Sequence, residues 1–308
     1  MKRILITGAE SYIGTNVEKW LSKFPDKYYV DTLDMRLPEW ENISFSSYDT
    51  IFHVAGIAHA DISKVSEETK DLYFAVNRDL AIKTCKKAKE EGVKQFIFMS
   101  SIIVYGISGS VYKRVVISKD TKPNPSNFYG ESKYEAEVGI MSLGDEQFKT
   151  TILRPPMIYG KGSKGNYLNL SKIAKKVVVF PAFENERSML HIDNLCEFIK
   201  LVIDNKVGGI LFPQNSDYVK TSDMVRLIAN ANGKRLVVIN GLQGVIFLLN
   251  WFPGRVGEMV KKAFGNLVYD KILSCNPGEI CGYQIRNLEE SIYLTERSEG
   301  LKETVHEK

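Results

Sequence analysis

Short apolar runs alternate with longer amphipathic segments through the first 160 residues, and this alternation restricts the fold more than any other feature. The short runs predict strands at 3–7, 28–33, 50–54, 95–99 and 150–153. Between them, apolar residues at helical spacing predict a first helix through Val17 and Leu21 and a longer one over 72–90. Strands that alternate with helices indicate a parallel sheet covered on both faces. The sequence therefore predicts an α/β fold with a doubly wound parallel sheet.

A glycine-spaced loop directly follows the first predicted strand. In TGAESYIG, Gly8 and Gly14 are the first and last glycines, and Ser11 stands where a middle glycine is usual. Such a turn lets the amides at a helix N-terminus approach a pyrophosphate. Because Ser11 carries a Cβ, we expect the pyrophosphate to lie slightly farther off or the turn to adjust. The loop predicts a dinucleotide site that includes Tyr12 and Ile13, and hence a Rossmann-type sheet.

Two charged residues bear on the choice of dinucleotide. Asp34 follows the second predicted strand, where a carboxylate would bind an adenosine ribose, and Arg36 lies two positions on. A carboxylate repels the 2′-phosphate of NADP, whereas a guanidinium attracts it. The alternative for both residues is a solvated loop position. We therefore expect NAD(P)H as the cofactor and leave NADH and NADPH both open.

The chain divides where the regular alternation ends. After Gly160 comes a loop rich in Gly, Lys and Asn, followed by a mixed region. We expect 1–160 to form the dinucleotide-binding domain, with 188–213 returning to it. A smaller C-terminal substrate-binding domain would comprise 161–187 and 214–308. No long linker separates the two units, so we expect them to share an interface.

Composition and cysteine usage exclude other classes of protein. The 308 residues carry 41 Lys and Arg against 37 Asp and Glu, a balance that does not indicate nucleic-acid binding. Cys85, Cys196, Cys275 and Cys281 form no C-x-x-C pattern, so we expect free thiols, no metal site and a cytoplasmic protein. The most apolar stretch, 245–252, is shorter than the ~20 residues of a membrane span. We expect a buried helix there, with contact to a membrane surface or a partner as the alternative.

The strongest chemical signal is a tyrosine and a lysine four residues apart at the start of a predicted helix. Tyr129 and Lys133, in YGESK, share one helix face. A neighbouring ammonium and an oxidised nicotinamide would lower the phenol pKa from its usual ~10 and allow proton transfer near neutral pH. Ser101 follows the strand 95–99, at the edge where parallel sheets bind ligands. Its hydroxyl can therefore hydrogen-bond the same reacting oxygen.

With these motifs the chain resembles a known family, the extended short-chain dehydrogenases/reductases of the nucleotide-sugar epimerase/dehydratase group. The matching segments are TGAESYIG, HVAG, AVN, SSIIVYG, YGESK, LRPPMIYG and ERSMLHIDN. The resemblance implies that Ser101, Tyr129 and Lys133 form the catalytic triad. It implies that further residues line the cofactor or support the active-site helix: Ala55, Gly56, Asn77 and Met99.

The residues after the catalytic hydroxyl narrow the reaction. Sugar-nucleotide 4,6-dehydratases of the family carry an Asp–Glu pair there, because removal of water needs an acid and a base. Ile102 and Ile103 occupy these positions, so we do not expect a dehydratase. The resemblance implies reduction of a UDP-4-keto-6-deoxy-N-acetylhexosamine, to UDP-N-acetylfucosamine or UDP-N-acetylquinovosamine, in bacterial capsule or O-antigen synthesis. The alternatives are a UDP-hexose or UDP-N-acetylhexosamine 4-epimerase, which uses the same triad, and a non-catalytic dinucleotide-sensing protein.

The resemblance also suggests residues that contact the UDP-sugar, among them Ser101. Arg187, in ERSMLHIDN, would hold the diphosphate, with a surface ion pair to Glu184 or Glu186 as the alternative. Asn166 would reach the diphosphate or the sugar, or would be a simple turn residue.

Other candidates carry weaker signals. Residues 179–181 would form part of a uracil-binding wall or an ordinary strand end. His191 is expected to be structural, and His53 and His59 are assigned no proton transfer. The family often dimerises, so a homodimer is a possible assembly.

Overall fold

A parallel sheet of six strands lies at the centre of the molecule, with helices on both faces. The computed structural model describes residues 1–58, 66–252, 254–274 and 280–297. Within these residues the strands are β1 Lys2–Thr7, β2 Tyr28–Leu33, β3 Thr50–His53, β4 Gln95–Met99, β5 Val116–Ile117, β6 Lys149–Leu153, β7 Met157–Tyr159, β8 Val179–Pro181, β9 Met189–His191, β10 Gly209–Leu211, β11 Val237–Ile239 and β12 Val268–Tyr269. The α-helices are α1 Tyr12–Leu21, α2 Glu67–Phe74, α3 Leu80–Glu90, α4 Phe128–Met141, α5 Asn166–Ala174, α6 Ile192–Asn205, α7 Thr221–Ala231, α8 Gln243–Trp251, α9 Arg255–Phe264 and α10 Leu288–Glu296.

The strand order of the central sheet is β10-β6-β4-β3-β1-β2, and every neighbouring pair is parallel. From β1 the chain runs outward to β2 and then crosses back to β3, so the direction switches between β1 and β3. In such sheets the ligand crevice lies at the carboxyl ends of the strands beside that switch. The predicted α/β fold with a Rossmann-type doubly wound sheet is confirmed, and the five predicted strands correspond to β1, β2, β3, β4 and β6.

The side chains of β1 alternate between two apolar cores. Ile4 and Ile6 pack on one face, with Val17 of α1 and residues of α6. Leu5 packs on the other face, with Ala81 of α3 and residues of α4. Successive side chains of a strand point to opposite faces, so a strand covered on both sides is apolar at every position. This requirement explains the short, continuous apolar runs in the sequence.

The predicted long helix over 72–90 is interrupted. A π-helical turn at Ala75–Asp79 separates α2 from α3, and Asn77 in this turn is fully buried. Such turns insert extra residues into a helix and often occur at functional sites. The interruption turns a polar amide toward the carboxyl end of the sheet.

The chain after β7 builds another apolar cluster beside the central sheet. Three short parallel pairs form there and at the sheet edge: β7 with β9, β8 with β11 and β5 with β12. Helices α5, α7 and α10 surround a cluster that includes Tyr159, Met224 and Ile292. In contrast, β10 pairs with β6 and extends the central sheet.

The predicted helix at 245–252 is present, but the prediction that it is buried is wrong. This segment lies within α8, but among its residues only Ile246 is buried, and Trp251 is 83% exposed. Helix α8 packs against α9 and contacts the rest of the molecule through Ile246, which lies in a small cluster with Val111 and Phe183, and through Phe247. None of the described helices combines the length and apolarity needed to cross a membrane.

Three of the four cysteines fall within the described residues, and all three are free thiols. Cys85 and Cys196 are buried and Cys281 is exposed, while Cys275 lies outside the described residues. In the same part of the chain, no cluster of three or more His, Cys, Asp or Glu side chains could hold a metal ion.

A buried ion pair joins α4 to the central sheet. Arg154, directly after β6, binds the Glu137 carboxylate of α4 through its Nε at 3.1 Å and its Nη2 at 2.5 Å. Both side chains are almost fully buried. The Ser100 hydroxyl donates to the same carboxylate, and Arg154 Nη1 donates to the Tyr105 hydroxyl at 2.8 Å. The pair fixes α4, which carries YGESK, against the end of β4.

We expect Arg154→Leu to lower the free energy of unfolding by about 3–5 kcal/mol, because it leaves the Glu137 carboxylate buried without its counter-charge. The double variant Glu137→Leu/Arg154→Leu removes both charges and should lose much less. Urea denaturation of the three proteins measures the difference. Equal losses in the single and double variants would contradict this account of the pair.

Candidate active site

The glycine loop packs against the end of β3. Gly8 has a φ of +114°, and a Cβ there would lie 2.6 Å from the backbone nitrogen of Ala55. Ser11 is the N-cap of α1, and its Oγ accepts a hydrogen bond from the Gly14 amide at 3.1 Å. A Cβ on Gly14 would lie 2.5 Å from that Oγ. The serine thus adjusts the turn by capping one amide of the loop.

The first turn of α1 offers free amides at the carboxyl edge of the sheet. No described residue accepts a hydrogen bond from the backbone amides of Tyr12 and Ile13, and this turn contains no acidic side chain. The buried Tyr12 hydroxyl has no hydrogen-bond partner among the described residues. Gly160 lies beside it, since a Cβ there would be 2.7 Å from the hydroxyl oxygen. These amides suit a pyrophosphate at a helix N-terminus.

Asp34 and Arg36 form an exposed ion pair rather than two separate ligands. Arg36 donates from its Nε to Asp34 Oδ1 at 2.9 Å and from its Nη2 to Oδ2 at 2.6 Å. These bonds lower the pKa of Asp34 to about 2. Glu10, which sequence reasoning missed, accepts from Arg36 Nη2 at 3.2 Å. The guanidinium therefore lies between two carboxylates, which offset its attraction for a 2′-phosphate.

Asn77 connects the loop after β3 to α4. Its side-chain oxygen accepts from the Ile57 amide at 2.8 Å, and its side-chain nitrogen donates to the Ile57 carbonyl at 3.1 Å. The same nitrogen lies 3.3 Å from the Ser132 hydroxyl of α4. The π-helical turn at Ala75–Asp79 directs the Asn77 side chain to this place between the loop and α4. Asn77 therefore holds the loop of Ala55 and Gly56 against the helix that carries Tyr129 and Lys133.

Lys133 is buried beneath that loop. Its ammonium donates to the Met99 carbonyl at the end of β4 at 2.9 Å and lies 4.6 Å from the centre of the Phe98 ring. A Cβ on Gly56 would lie 2.9 Å from Asn77 Oδ1 and 3.1 Å from Lys133 Nζ, so a larger residue would crowd both side chains. Burial lowers the pKa of Lys133 to about 8, against a smaller opposing effect of Glu137. The lysine still carries its charge at neutral pH.

Tyr129 and Ser101 meet at the end of β4. Burial raises the pKa of Tyr129 to about 12, and a hydrogen bond with the Ser101 side chain lowers it by less. Tyr73 of α2 packs edge-on to Tyr129, with ring centres 6.0 Å apart. Burial thus sets the pKa of the phenol in the protein without cofactor, where the Lys133 ammonium donates to the Met99 carbonyl. The lowering expected from the ammonium together with an oxidised nicotinamide stays a prediction.

Two histidines near these elements are buried, and burial lowers the pKa of both. Burial lowers the pKa of His53 to about 3, and its Nδ1 lies 2.8 Å from the Thr7 hydroxyl. His191 is the N-cap of α6, where its Nδ1 accepts from the Asp193 amide, and burial lowers its pKa to about 4. His59 lies outside the described residues.

The two candidate substrate residues lie outside this cluster. Asn166 is exposed at the first position of α5. Arg187 donates from Nη1 to the carbonyls of Lys262 and Ala263, in the last turn of α9. Burial lowers the pKa of Arg187 to about 10, which leaves the guanidinium charged at neutral pH.

The alternative ion pairs of Arg187 are not formed. Glu184 pairs with Lys220 at 2.5 Å, and Glu186 pairs with Arg114 at 2.5 Å. Among the described residues no carboxylate pairs with Arg187, so its charge is available to an anion. The segment 179–181 forms β8, which favours its interpretation as a strand.

Sequence reasoning missed several residues of this site. Tyr73 and Glu137 take part through packing between α2, α4 and β4, and they lie outside the motifs. Ser132 lies within YGESK and Glu10 within TGAESYIG, but neither is assigned a role; Glu10 has a positive φ of 64° and reaches Arg36.

A dinucleotide-binding sheet with a Tyr, Lys and Ser cluster at its carboxyl edge defines an oxidoreductase class. The comparisons agree, because residues 4–211 match the NAD dependent epimerase/dehydratase family. The chain belongs to this family, as the motifs predicted, and it is therefore a nicotinamide-dependent enzyme. This bears out the expected NAD(P) cofactor and leaves the choice between NAD and NADP open.

Two relatives are similar in sequence. A UDP-glucose 4-epimerase of Vibrio cholerae is 32% identical over 254 residues, 76% of each chain. An N-acetyl-α-D-glucosaminyl-diphospho-ditrans,octacis-undecaprenol 4-epimerase of Escherichia coli O157:H7 is 28% identical over 223 residues, which cover 67% of this chain and 64% of that protein.

Solved structures share the fold at low sequence identity. A UDP-glucuronic acid 4-epimerase of Bacillus cereus with NAD superposes with a TM-score of 0.67, 17% identity and coverage of 95% of each chain. A dTDP-4-dehydrorhamnose reductase of Clostridium acetobutylicum gives a TM-score of 0.69 at 19% identity, with coverage of 95% of this chain and 98% of that one. Epimerases and reductases thus share this architecture, and the fold does not choose between them.

We expect Lys133→Met to raise the free energy of unfolding by about 1–2 kcal/mol at pH 7 without cofactor, because it removes the cost of burying an ammonium. The folded protein releases the Lys133 proton near pH 8, whereas the unfolded chain keeps it to about pH 10.5. Wild-type stability therefore rises with pH over this interval, and the advantage of the variant shrinks.

Denaturation at pH 7, 8.5 and 10 measures this effect. The exposed Lys86→Met on α3 is the matched control and should show no such pH dependence. An advantage of Lys133→Met that stays constant from pH 7 to 10 would contradict the assignment of a strained, buried charge.

Proposed function

We propose that the chain is an NAD-dependent 4-epimerase of a UDP-hexose or UDP-N-acetylhexosamine. The observation that supports C4 redox chemistry is the hydrogen bond between the Tyr129 and Ser101 side chains at the end of β4, together with the buried ammonium of Lys133 on the same helix as Tyr129. The similarity to a UDP-glucose 4-epimerase, at 32% identity, supports epimerisation ahead of 4-keto reduction. The order of preference drawn from the sequence alone is therefore reversed.

The residues present fit a nicotinamide dinucleotide. The free amides of Tyr12 and Ile13 would hold the pyrophosphate, and the loop of Ala55 and Gly56 would line the cleft. Asp34 and Glu10 surround Arg36 with negative charge, which supports NAD over NADP. Bound there, a nicotinamide would supply reversible hydride transfer at C4 of the sugar, and C4 would be inverted because the 4-keto sugar turns over in the cleft before the hydride is returned to its other face.

The chain's own residues handle the proton and the geometry. Tyr129 Oη would take the proton of the C4 hydroxyl and later return it, and Ser101 Oγ would hydrogen-bond the same oxygen. The phenol is protonated at neutral pH in this structure, so its pKa must fall when the cleft fills with positive charge. Ile102 and Ile103 follow Ser101, and their apolar side chains cannot act as an acid or a base. This disfavours a reaction in which the sugar loses water.

A second candidate substrate is a sugar linked through diphosphate to a polyprenol. The relative from Escherichia coli O157:H7 carries that activity in its name. The supporting observation is that Arg187, charged and without a carboxylate partner among the described residues, is bonded to the last turn of α9. That helix belongs to an exposed apolar surface, next to which a lipid-linked diphosphate could lie.

We expect Tyr129→Phe to lower kcat by about 10²–10⁴-fold, because the proton of the C4 oxygen loses its donor and acceptor. Binding of NAD should change little, since the removed hydroxyl belongs to the sugar side of the cleft. Tyr134→Phe, one turn further on α4, is the control and should keep full turnover. Kinetics and NAD titration separate the two effects; near-full turnover of Tyr129→Phe would overturn the assignment.

Cofactor stoichiometry distinguishes the possible reactions. We expect UDP-glucose or UDP-N-acetylglucosamine to equilibrate with its C4 epimer without net use of NAD. Consumption of one NAD(P)H for each UDP-4-keto-6-deoxy sugar, with no epimerisation, would instead make the chain a 4-ketoreductase. The same assay with polyprenyl-diphospho-N-acetylglucosamine tests the second candidate substrate.

A further inference from the structure

The helical hairpin formed by α8 and α9, residues 243–264, exposes an unusual amount of apolar surface. Leu248 is 57%, Trp251 83% and Met259 64% exposed. The exposed apolar side chains of the hairpin are Val245, Phe247, Leu248, Leu249, Trp251, Phe252, Val256 and Met259. Single exposed apolar residues are ordinary, but a contiguous group of this size marks an interaction surface.

The apolar residues are organised by the helices that carry them. Val245, Leu248, Leu249 and Phe252 recur at the spacing of one helix face. On α9, Val256 and Met259 are three residues apart and likewise share a face. Because α8 and α9 pack against each other, the exposed groups other than Phe247 form one surface, which we call the hairpin surface.

The hairpin is held in a fixed position from its other side. Phe247 stacks on Tyr112 with ring centres 5.4 Å apart, and Asn250 donates to the Tyr112 hydroxyl at 3.1 Å. Phe183 contacts Phe247 edge-on at 5.8 Å. At the end of α9, Arg187 binds the carbonyls of the last turn. These contacts attach the hairpin to the rest of the molecule and leave the hairpin surface facing outward.

The charges beside the hairpin surface are mainly positive. Lys261 and Lys262 at the end of α9 are exposed, and neither forms an ion pair with any described residue. Lys113, next to Tyr112, is also exposed. Among the described side chains of residues 243–264 the one acid is Glu258, against Lys261 and Lys262. An anionic surface therefore complements this part of the molecule in charge.

Two kinds of occupant could cover such a surface, another protein or a lipid bilayer. The core of a protein–protein interface is depleted of lysine, whereas helices that lie in a membrane interface combine large apolar side chains with flanking lysines. Tryptophan is enriched at the depth of the headgroups, and Trp251 stands at the end of α8 as the most exposed residue of the group. The observations favour the bilayer.

We propose that the α8–α9 hairpin docks the enzyme on an anionic lipid bilayer, with its apolar side chains among the upper acyl chains and its lysines at the headgroups. The inference rests on the hairpin alone and not on the 4-epimerase reaction. Since Arg187 is bonded to the last turn of α9, docking brings the candidate diphosphate residue toward the lipid surface.

Sedimentation of the full-length protein with lipid vesicles tests the proposal. Vesicles of phosphatidylcholine with about one-third phosphatidylglycerol supply anionic headgroups, and pure phosphatidylcholine vesicles are the reference. We expect binding to the anionic vesicles, at least about fivefold stronger than to the neutral ones, and weakened by salt. The variant Leu248→Ser/Trp251→Ser should lose at least about tenfold in vesicle binding.

Ile272→Ser is the matched control, because Ile272 is 74% exposed but lies outside the hairpin, and it should bind like the wild type. Lys261→Glu/Lys262→Glu should lose the preference for anionic vesicles. Unchanged circular dichroism and NAD binding show that the variants are folded. Vesicle binding without epimerase activity would leave docking intact and overturn only the proposed reaction.

Two outcomes would overturn the docking proposal. One is equal vesicle binding by the wild type and Leu248→Ser/Trp251→Ser. The other is a dimer in light scattering that dissociates in this variant, together with no vesicle binding by the wild type, which would make a second copy of the chain the occupant.

Discussion

The burial of one ammonium group is the constraint on which the site depends. Lys133 reaches from α4 across the carboxyl end of the central sheet to the Met99 carbonyl, and this contact determines how close α4 lies to β4. The cost of the burial appears in the lowered pKa of the lysine. Neighbouring residues accommodate it: glycine at position 56 leaves the space, and the Phe98 ring provides a favourable face for the cation.

Two separate sets of polar contacts hold α4 against the sheet. Asn77 joins Ser132 to the loop after β3, and the ion pair of Arg154 and Glu137 joins α4 to β6 and β4. Each contact uses a buried polar group that is costly unless it is paired. Together they place Tyr129 beside Ser101 with little freedom to move. Preorganisation of this kind is what a hydride and proton transfer requires.

The hairpin of α8 and α9 differs from the apolar clusters of the molecule because most of its large apolar side chains are exposed. The largest apolar clusters of the described residues are covered by the helices on the two faces of the central sheet or by α5, α7 and α10. In the hairpin, Trp251 and Met259 remain in contact with solvent although the segment is the most apolar in the chain. Arg187 links the two regions, because it binds the end of α9 and carries a charge that no described carboxylate balances.

The sequence by itself determined the parallel sheet, the glycine loop and the family, because these depend on local patterns: apolar runs, glycine spacing, and Tyr129 and Lys133 four residues apart. The sequence also predicted five of the six strands of the central sheet. Only the tertiary structure decided that α8 is exposed, that Arg36 lies between Asp34 and Glu10, and that the ammonium of Lys133 points to Met99. These outcomes depend on which surfaces are already covered and on contacts between residues far apart in the chain, which no local pattern encodes.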